Sequence, residues 1–445
     1  MKAMSGNLYH TAELEAPPIR AGRFFFCDCD ECGGPLGCSF VTMANELFNW
    51  LYRDIEDQAR VILEPSNYNY YRSGATRERT LARSKDSWAS YDFVPRIPIE
   101  RKTVSSRSQF CSVELATPLY VAPMAFQSLL NSGAESQFAL AANLVNVPYC
   151  LSSRTTTSIS EVAEIASDEA ERRRLFGQLS GFHKHMLEHF WQADEAISSG
   201  AKLFFQVYFM AEREVTFQLA EEAQLNGFSL FLLTVDTPVL GMRLSDLKMG
   251  FVPPEGYADK LYDRLVREGR LSSAKSADDI PFQPKSRDNA LNQDPGIGLG
   301  ALRLLKARVD LPVAAKGVIR QSDLYGALAE GADGVVISNH GGRQLDDTVL
   351  TADALWRLWD NFESSRISVD GGISNGADVV KALCMGASSV GIGRNAAWAF
   401  AVGGALGLAS YLIELRIEIE YVMTLLGVAS VSELGRSDIT LSSRT

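Results

Sequence analysis

The stretch LPVAAKGVIRQSDLYGALAEGADGVVISNHGG, residues 311–342, contains the pattern that decides the fold. An apolar run at 311–318 is followed by a helical pattern at 321–331, which ends on a glycine, and by a second apolar run at 333–341. Parallel strands need a crossover connection, usually a helix. The stretch therefore predicts two parallel strands joined by one helix.

The same alternation of apolar runs and helical patterns begins near residue 117. It gives eight strand candidates, at 118–124, 147–153, 202–209, 228–236, 311–318, 333–341, 366–372 and 388–394. Eight β/α units in succession predict an α/β fold, the closed (β/α)8 or TIM barrel.

Four segments define the expected domain organisation. Residues 45–440 form the barrel domain with an N-terminal helical extension, and residues 1–44 form a separate arm. The charged connection at 241–300 follows the fourth strand on the active-site face, so we predict a lid, with a disordered spacer as the alternative. Residues 166–198 predict one or two added helices between the second helix and the third strand, and we expect them to serve packing or self-association.

Composition favours small-molecule chemistry. The chain has 445 residues, 46% of them hydrophobic and 22% charged, as in ordinary globular proteins. A net charge of -11 argues against nucleic acid or an anionic membrane as a partner. The apolar stretch 403–428 is interrupted by Glu414, Arg416, Glu418 and Glu420, which indicates a packed helix and not a membrane span. The first residues lack the apolar core of a signal peptide, so we expect a cytoplasmic protein.

The sequence predicts no metal site. Three of the seven cysteines have apolar surroundings and are expected to be buried thiols: Cys111, Cys150 and Cys384. The other four lack the paired C-x2-C spacing of zinc modules, so free thiols are favoured over zinc at Cys27, Cys29, Cys32 and Cys38. No cysteine or carboxylate pattern accompanies the histidines of the insertion, His183, His185 and His189.

Polar residues accumulate where the predicted strands end, which is the catalytic face of a (β/α)8 barrel. They are Ser152, Gln206, Tyr208, Asp236, Lys316, His340, Arg343, Asp370 and Arg394. One such residue alone is more often structural than catalytic. Their convergence at one end of the barrel predicts an active site.

The last two strands end in DGG (370–372) and GIGR (391–394), each followed by a helix. Glycines admit a ligand close to the backbone, and helix N-termini bind anions. GIGRNA (391–396) and GIGLGA (296–301) also fit a dinucleotide fingerprint, but neither has the strand and acidic residue which that site requires. A mononucleotide is therefore better supported than NAD.

Six motifs in this order resemble the FMN-dependent 2-hydroxy-acid oxidases and dehydrogenases, a family that includes glycolate oxidase, lactate oxidase, lactate monooxygenase and mandelate dehydrogenase. They are NYNYYRSGATRERTL (67–81), TVDTPVLGMR (234–243), KGV (316–318), SNHGGRQ (338–344), DGG (370–372) and GIGR (391–394). The resemblance implies an FMN cofactor and oxidation of a 2-hydroxy acid to the 2-oxo acid. It implies O2, giving hydrogen peroxide, or another acceptor for the electrons.

The resemblance also implies roles for substrate-binding and catalytic residues. His340 is the expected general base, and Asp236 the carboxylate that stabilises its imidazolium. Arg343 and Arg243 are expected to bind the substrate carboxylate. Tyr70 would donate a hydrogen bond to that carboxylate, and Tyr208 would contact the substrate oxygen.

Further residues are expected to bind FMN. Lys316 would offset negative charge at the flavin N1/O2 edge. The ring and ribityl chain would contact Ala122, Pro123, Met124, Ser152, Gln206, Thr234, Ser338 and Asp370. The phosphate would contact Gly371, Gly372, Gly393 and Arg394.

The chain departs from the family pattern at three positions. Arg154 stands where the family has an aromatic or small residue near the substrate side chain. It predicts a substrate larger or more polar than glycolate or lactate, unless Arg154 turns outward to solvent. Ser374 follows DGG where an arginine is usual, and Asn395 replaces a usual proline.

Other functions remain open at this stage. An FMN-dependent oxidative decarboxylase or monooxygenase would carry the same residues. A non-redox FMN-barrel isomerase would not need the set His340, Asp236, Arg243 and Arg343, and a barrel without redox activity would not need Lys316. The family is often tetrameric, so we expect a homo-oligomer, a tetramer or a dimer.

Overall fold

The computed structural model describes residues 50, 54–97, 103–194, 202–271, 291, 293, 294, 296, 298–358 and 363–442. All of them belong to the larger of two compact units of the chain, residues 46–445. The cysteine cluster at 27–38, the arm at 1–44 and residues 272–290 of the predicted lid lie outside the described residues.

Eight parallel strands close into a barrel, and each pairs with the next along the chain until the last pairs with the first. They are β1 (Leu119–Val121), β2 (Tyr149–Ser152), β3 (Leu203–Tyr208), β4 (Leu230–Thr234), β5 (Val313–Val318), β6 (Gly334–Ile337), β7 (Ile367–Asp370) and β8 (Ser389–Ile392). Every predicted strand contains one of them. The (β/α)8 fold is confirmed.

A hairpin closes the amino end of the barrel. Its strands, Ser108–Phe110 and Val113–Leu115, place Phe110 and Cys111 in one buried cluster with inward-facing barrel residues such as Tyr120 and Phe204. Cys111 lies so close to Gly334, the first residue of β6, that a Cβ there would be 2.5 Å from Sγ. The carboxyl ends of the strands are therefore the end left for a site.

Fifteen α-helices surround the barrel or precede it in the described residues. They are α1 (Ile55–Ile62), α2 (Pro65–Arg72), α3 (Arg79–Ser87), α4 (Ala134–Leu144), α5 (Ile159–Ala166), α6 (Glu169–Gln178), α7 (Gly181–Asp194), α8 (Arg213–Leu225), α9 (Leu244–Met249), α10 (Tyr257–Arg267), α11 (Gly300–Lys306), α12 (Gln321–Ala329), α13 (Thr351–Arg357), α14 (Gly376–Cys384) and α15 (Arg394–Leu425). Helices α1 to α3 form the predicted N-terminal extension. Helices α9 and α10 give the segment after β4 regular structure. A short antiparallel pair, Tyr91–Phe93 with Ile439–Leu441, lies outside the barrel.

Helix α15 is long and apolar enough to span a membrane, but 72% of its most apolar window is buried inside the protein. It is interrupted at Gly404, where φ is +58°. Its charged residues Glu414, Arg416 and Glu418 are buried. The helix packs as a core helix.

Two helices occupy the predicted insertion at 166–198, whose last residues, 195–198, lie outside the described residues. Asp194 of α7 forms a bidentate ion pair with Arg416 of α15, at 2.8 and 2.9 Å. His183 Nε2 lies 3.0 Å from Glu414 Oε1. Both contacts are buried and attach the insertion to α15. In the part of the chain that the structure describes, no group of three His, Cys, Asp or Glu residues is placed to bind a metal.

Replacing Asp194 with Ala is expected to lower the free energy of unfolding by about 3 kcal/mol, because Arg416 would stay buried with only Glu420, 3.5 Å from its Nε, as a carboxylate partner. Urea denaturation measures this change. Glu169→Ala on α6 removes the partner of Arg172 in a pair whose carboxylate is 63% exposed, and should cost less than about 1 kcal/mol. Equal losses for the two variants would show that the buried pair does not anchor the insertion.

Candidate active site

The loops after β4 and β6 bring Asp236 and His340 together. His340 Nδ1 lies 3.0 Å from Asp236 Oδ1, and Thr237 Oγ1 donates to the same oxygen at 2.9 Å. Burial alone would raise the pKa of the Asp236 carboxyl, but His340 and Lys316 lower it below the ordinary value. The carboxylate therefore orients the Nδ1–H of His340, and Nε2 carries the lone pair that can accept a proton.

Backbone conformation explains two motifs around this pair. His340 adopts a left-handed φ of +57°, and Gly341 and Gly342 follow with positive φ. Gly317 of the KGV motif lies against Asp236, so that a Cβ there would be 2.5 Å from Asp236 Cβ. A side chain at Gly317 would displace the carboxylate.

Lys316 is the cation at the centre of the strand ends. Its Nζ lies 3.0 Å from Asp370 Oδ2 and donates to Ser338 Oγ at 3.0 Å, while Ser338 donates to Asp370 Oδ1 at 2.5 Å. Burial opposes its charge, yet Asp370 and Asp236 raise the pKa of Lys316. The side chain is therefore a buried ammonium group.

Replacing Lys316 with Met is expected to lower the free energy of unfolding by about 3–5 kcal/mol, because Asp370 would keep a buried charge without its cation. The double variant Lys316→Met, Asp370→Asn should recover most of the loss, as measured by urea denaturation. Lys306→Met breaks a pair whose side chains are 33% and 36% exposed, and should cost less than about 1 kcal/mol. A loss for Lys316→Met no larger than that of this control would contradict the prediction.

A second set of hydrogen bonds runs across β2, β3 and β4. Ser152 Oγ donates to Gln206 Oε1 at 2.7 Å, and Gln206 Nε2 donates to Thr234 Oγ1 at 2.8 Å. Ala122, Pro123 and Met124 follow β1 on the same side of the barrel, since parallel strands align their carboxyl ends. The structure thus brings the predicted flavin-binding side chains together.

Two arginines lie beside Tyr70 of helix α2. The guanidinium carbons of Arg343 and Arg243 are 4.9 and 5.8 Å from the centre of its ring. Arg343 Nη1 donates to the carbonyl oxygens of Tyr70 and Ser73, at 2.5 and 2.8 Å. Arg243 Nε is buried without a hydrogen-bond partner among the described residues. The guanidinium groups of these two half-buried arginines are suited to an anion such as a carboxylate.

Charge and burial set the electrostatics of this group. Burial, together with the charges of Arg243 and Arg394, lowers the pKa of Arg343, but a guanidinium remains cationic in proteins. Burial, followed by the negative charge of Asp236, raises the pKa of Tyr208 at the end of β3. Tyr208 therefore remains a neutral phenol that can donate a hydrogen bond.

Aromatic rings also lie against Tyr70. Phe251, which follows α9, stacks on it with ring centres 4.4 Å apart, and Phe126 lies 6.1 Å away. Arg154 is half-buried and its Nη2 donates to the carbonyl oxygen of Leu291 at 2.5 Å. That its side chain faces the substrate stays a prediction.

Arg394 makes contacts that the sequence did not indicate. Its guanidinium donates to the carbonyl oxygens of Tyr71, Ser73 and Gly341, at 2.9 to 3.1 Å. Arg394 thus joins the end of α2 to the loop that carries His340. A contact with the flavin phosphate stays a prediction.

The glycine motifs DGG (370–372) and GIGR (391–394) differ in the space they leave for a ligand. At Gly372, with φ +77°, a Cβ would lie 2.2 Å from the Ser84 carbonyl oxygen, so packing against α3 requires this glycine. Gly371 also has positive φ, and its carbonyl oxygen accepts from Trp88 Nε1. At Gly393 nothing lies within 4 Å of the Cβ position. Open space for an anion therefore lies at Gly393, at the N-terminus of α15.

Helix α14, which follows DGG, has its first amides paired with carboxylates. Ser374 donates through its N–H and hydroxyl to Asp378 Oδ2, at 3.0 and 2.8 Å. Gly376 N–H donates to Glu418 Oε2 at 2.6 Å. The N-terminus of α15 has no side-chain cap, so it is the better fit for a phosphate of the two.

Sequence reasoning missed several residues that hold this site together. Gln344 accepts from Gly241 N–H at 3.0 Å and donates to the Val239 carbonyl oxygen at 3.0 Å, which joins the loops after β4 and β6. The sequence could have indicated Gln344 through its place in the motif SNHGGRQ. Ser73 had the same kind of signal, its place in NYNYYRSGATRERTL, whereas Asp246 lay in none of the six motifs.

The residues present fit FMN. Lys316 supplies a buried cation, the chain from Ser152 to Thr234 supplies hydroxyl and amide groups, and Gly393 leaves space at a helix N-terminus. Together with the His340–Asp236 pair, they define a flavin-dependent oxidoreductase that acts on a CH–OH group.

Comparison with known proteins identifies the family. The model of the FMN-dependent dehydrogenase family matches residues 59–194 and 165–441, and this chain belongs to that family, with FMN as its cofactor. It is 30% identical over 394 residues to a 2-hydroxyacid oxidase of Dictyostelium discoideum, covering 87% of this chain and 89% of that protein. It is 32% identical over 377 residues to glycolate oxidase 1 of Zea mays, covering 84% of this chain and 90% of that protein. Among solved structures, mandelate oxidase with (S)-4-hydroxymandelic acid matches with TM-score 0.70 and 27% identity, covering 87% and 98%.

Proposed function

We propose that this protein oxidises a 2-hydroxy acid with a side chain larger than those of glycolate and lactate, and that O2 accepts the electrons to give hydrogen peroxide. The observation that carries the proposal is the His340–Asp236 pair at 3.0 Å, together with the two half-buried arginines beside Tyr70. A base next to a cationic pair matches a substrate that has a hydroxyl beside its carboxylate.

The residues divide the reaction among them. Arg243 and Arg343 bind the substrate carboxylate, and Tyr70 and Tyr208 donate hydrogen bonds to its oxygens. His340 Nε2 removes a proton from the hydroxyl or the α-carbon, and Asp236 stabilises the imidazolium that forms. Oxidation to the 2-oxo acid releases two electrons and two protons from the substrate.

One of the residues that would bind FMN also stabilises charge. FMN, when bound, supplies the acceptor for the two electrons. Lys316 is the buried cation among the side chains that would hold it, and its charge offsets the negative charge that arrives with the electrons. Ser152, Gln206 and Thr234 would orient the ring by hydrogen bonds, and Asp370 and Ser338 keep Lys316 in place.

Two features support the larger substrate. Phe126 and Phe251 give the pocket beside Tyr70 an aromatic wall, which suits an apolar side chain. The similar mandelate oxidases have been solved with (S)-mandelic acid and (S)-4-hydroxymandelic acid, both of which carry a phenyl ring. Arg154, two residues after Ser152, which would bind the flavin, would instead favour a second polar or anionic group.

Oxygen uptake and hydrogen peroxide formation with a panel of acids test the proposal. The panel is glycolate, lactate, mandelate, 2-hydroxyoctanoate and malate, with product analysis for each. We expect the highest kcat/KM with one of the last three and the 2-oxo acid as product. A preference for glycolate would contradict the larger substrate. A product acid one carbon shorter than the 2-oxo acid would indicate decarboxylation. Turnover without hydrogen peroxide would indicate an electron acceptor other than O2.

The variant Arg154→Leu separates the two substrate classes. If Arg154 binds a second anionic group, kcat/KM for malate should fall about 10-fold or more, by the loss of one charged hydrogen bond, while the value for mandelate changes little. An unchanged ratio between malate and mandelate would assign Arg154 to its contact with Leu291.

We also propose that the protein is a cytoplasmic homo-oligomer. Exposed apolar side chains after β4 support self-association, among them Leu240, Leu247 and Val252, which are 52%, 68% and 80% exposed. Light scattering after size exclusion should give the mass of a tetramer or a dimer. A monomer at micromolar concentration would contradict the proposal.

A further inference from the structure

A buried carboxylate lies next to the arginines without a role in the reaction proposed above. Asp246 of α9 is 8% exposed and follows Arg243 by three residues. Its Oδ1 accepts hydrogen bonds from Ser73 Oγ at 2.8 Å and from Asn69 Nδ2 at 2.9 Å. Both donors belong to the segment that carries Tyr70. Asp246 therefore joins the element that bears Arg243 to the element that bears Tyr70.

Ser73 extends this contact to Arg343. Its carbonyl oxygen accepts from Arg343 Nη1 at 2.8 Å and from Arg394 Nη2 at 3.1 Å. Its hydroxyl oxygen lies 3.5 Å from Arg343 Nη1 and directs its proton to Asp246. One serine therefore separates the Asp246 carboxylate from the Arg343 guanidinium.

The charges around this serine explain why a carboxylate is placed there. Arg243, Arg343 and Arg394 form a half-buried cationic group, and the charges of Arg243 and Arg394 act unfavourably on Arg343. The charge of Asp246 acts favourably on it. A buried charge is costly unless it is paired and hydrogen-bonded. Asp246 stabilises the arginines in their observed places while no substrate carboxylate is present.

We infer that Asp246 is a positioning residue that, through Ser73, fixes the spacing of Arg243 and Arg343 for a substrate carboxylate. The inference rests on the proposed function, because it assigns the binding of a 2-hydroxy acid to these two arginines. Asp246 touches neither the His340–Asp236 pair nor Lys316 in the contacts described above. It acts on the binding of the carboxylate and not on the transfer of the proton.

Three variants of the holoenzyme test this role. Asp246→Asn removes the charge with little change in volume, and Ser73→Ala removes the hydroxyl but keeps the carbonyl group. Ser245→Ala is the matched control, because Ser245 Oγ also joins α9 to α2, through Asn69 Oδ1 at 2.7 Å, but is not part of the contact to Arg343. FMN content and the melting temperature of each variant verify that it is folded.

The readouts are KM and kcat for the best acid of the panel, and the Kd of oxalate from its perturbation of the flavin absorbance. We expect Asp246→Asn and Ser73→Ala to raise KM and the oxalate Kd about 10-fold or more, the loss of one charged hydrogen bond, with kcat within about 3-fold. Ser245→Ala should change each value by less than about 3-fold, as expected for the loss of one neutral hydrogen bond that does not reach the arginines. The double variant Asp246→Asn, Ser73→Ala should have the same KM and oxalate Kd as Asp246→Asn alone, because both residues act through one contact.

Two results would overturn the inference. An unchanged oxalate Kd in Asp246→Asn and Ser73→Ala would show that neither residue affects the binding of a carboxylate. An equal rise of the oxalate Kd in Ser245→Ala would assign the effect to the docking of α9 on α2 alone. Failure of the proposed function looks different, since the wild-type enzyme would then oxidise no acid of the panel while the oxalate titration still compares the variants. A wild-type enzyme that binds no oxalate would overturn both.

Discussion

Replacing His340 with Gln is expected to lower the rate constant for flavin reduction by about 10²- to 10⁴-fold, the contribution of a positioned general base. Glutamine keeps a hydrogen bond to Asp236 within reach but cannot accept the substrate proton. Stopped-flow absorbance without oxygen, at saturating 2-hydroxy acid, measures the rate constant directly. The oxalate Kd should change far less than the rate constant, because the arginines remain.

The matched control is Thr237→Ala. Thr237 Oγ1 donates to the same Asp236 oxygen as His340, at 2.9 Å, yet it has no part in the proton transfer. We expect the rate constant for flavin reduction to fall less than about 10-fold in this variant, the cost of one neutral hydrogen bond. If His340→Gln lost no more than Thr237→Ala, the proton would be taken by another group.

Replacing Arg343 with Lys is expected to lower kcat/KM by about 10²-fold or more, although the charge is kept. The guanidinium serves the Tyr70 and Ser73 carbonyl oxygens through Nη1 and has further N–H groups for the substrate. A lysine presents one ammonium group and cannot reproduce that planar arrangement. Steady-state kinetics with the best acid of the panel and the oxalate Kd measure the loss, which should lie mainly in KM.

Arg308→Lys provides the control for this exchange. Arg308 pairs with Glu221 at 3.3 Å, and its side chain is 44% exposed. Its replacement should leave kcat/KM within about 2-fold, since exposed pairs contribute little. A value for Arg343→Lys within that range would exclude Arg343 from carboxylate binding.

The barrel could be predicted because each of its units repeats one local pattern. A buried parallel strand is apolar on both faces, and the following helix ends at a glycine, so both are visible within about twenty residues. For example, the apolar run 333–341 contains β6, Gly334–Ile337, and the pattern at 321–331 contains α12, Gln321–Ala329. The run extends beyond β6 because residues 338–341 belong to the loop that carries His340.

Residues at strand ends could also be predicted, for a topological reason. In a closed parallel barrel the carboxyl ends meet in one ring, so Lys316 of β5, Ser338 directly after β6 and Asp370 of β7 must be neighbours. Their observed contacts of 2.5 to 3.0 Å follow from that order. The sequence did not indicate that Lys316 and Asp370 would pair directly.

Contacts from outside the barrel could not be predicted. The hydrogen bond between Ser73 and Asp246 joins residues 173 positions apart, one just after α2 and one in α9. Neither position belongs to a repeated pattern, and the contact depends on how α2 and α9 pack against each other. Arg394 shows the same limit, since its three carbonyl partners depend on how α2 packs against the barrel.

Anaerobic mixing of the purified holoenzyme with a 2-hydroxy acid tests the proposed reaction most directly. We expect the absorption of oxidised flavin near ~450 nm to bleach with the best acid of the panel and to return when O2 is admitted, with one hydrogen peroxide formed per 2-oxo acid. The corresponding acid without the 2-hydroxyl group should leave the spectrum oxidised. A flavin that every 2-hydroxy acid leaves oxidised would contradict the proposed function.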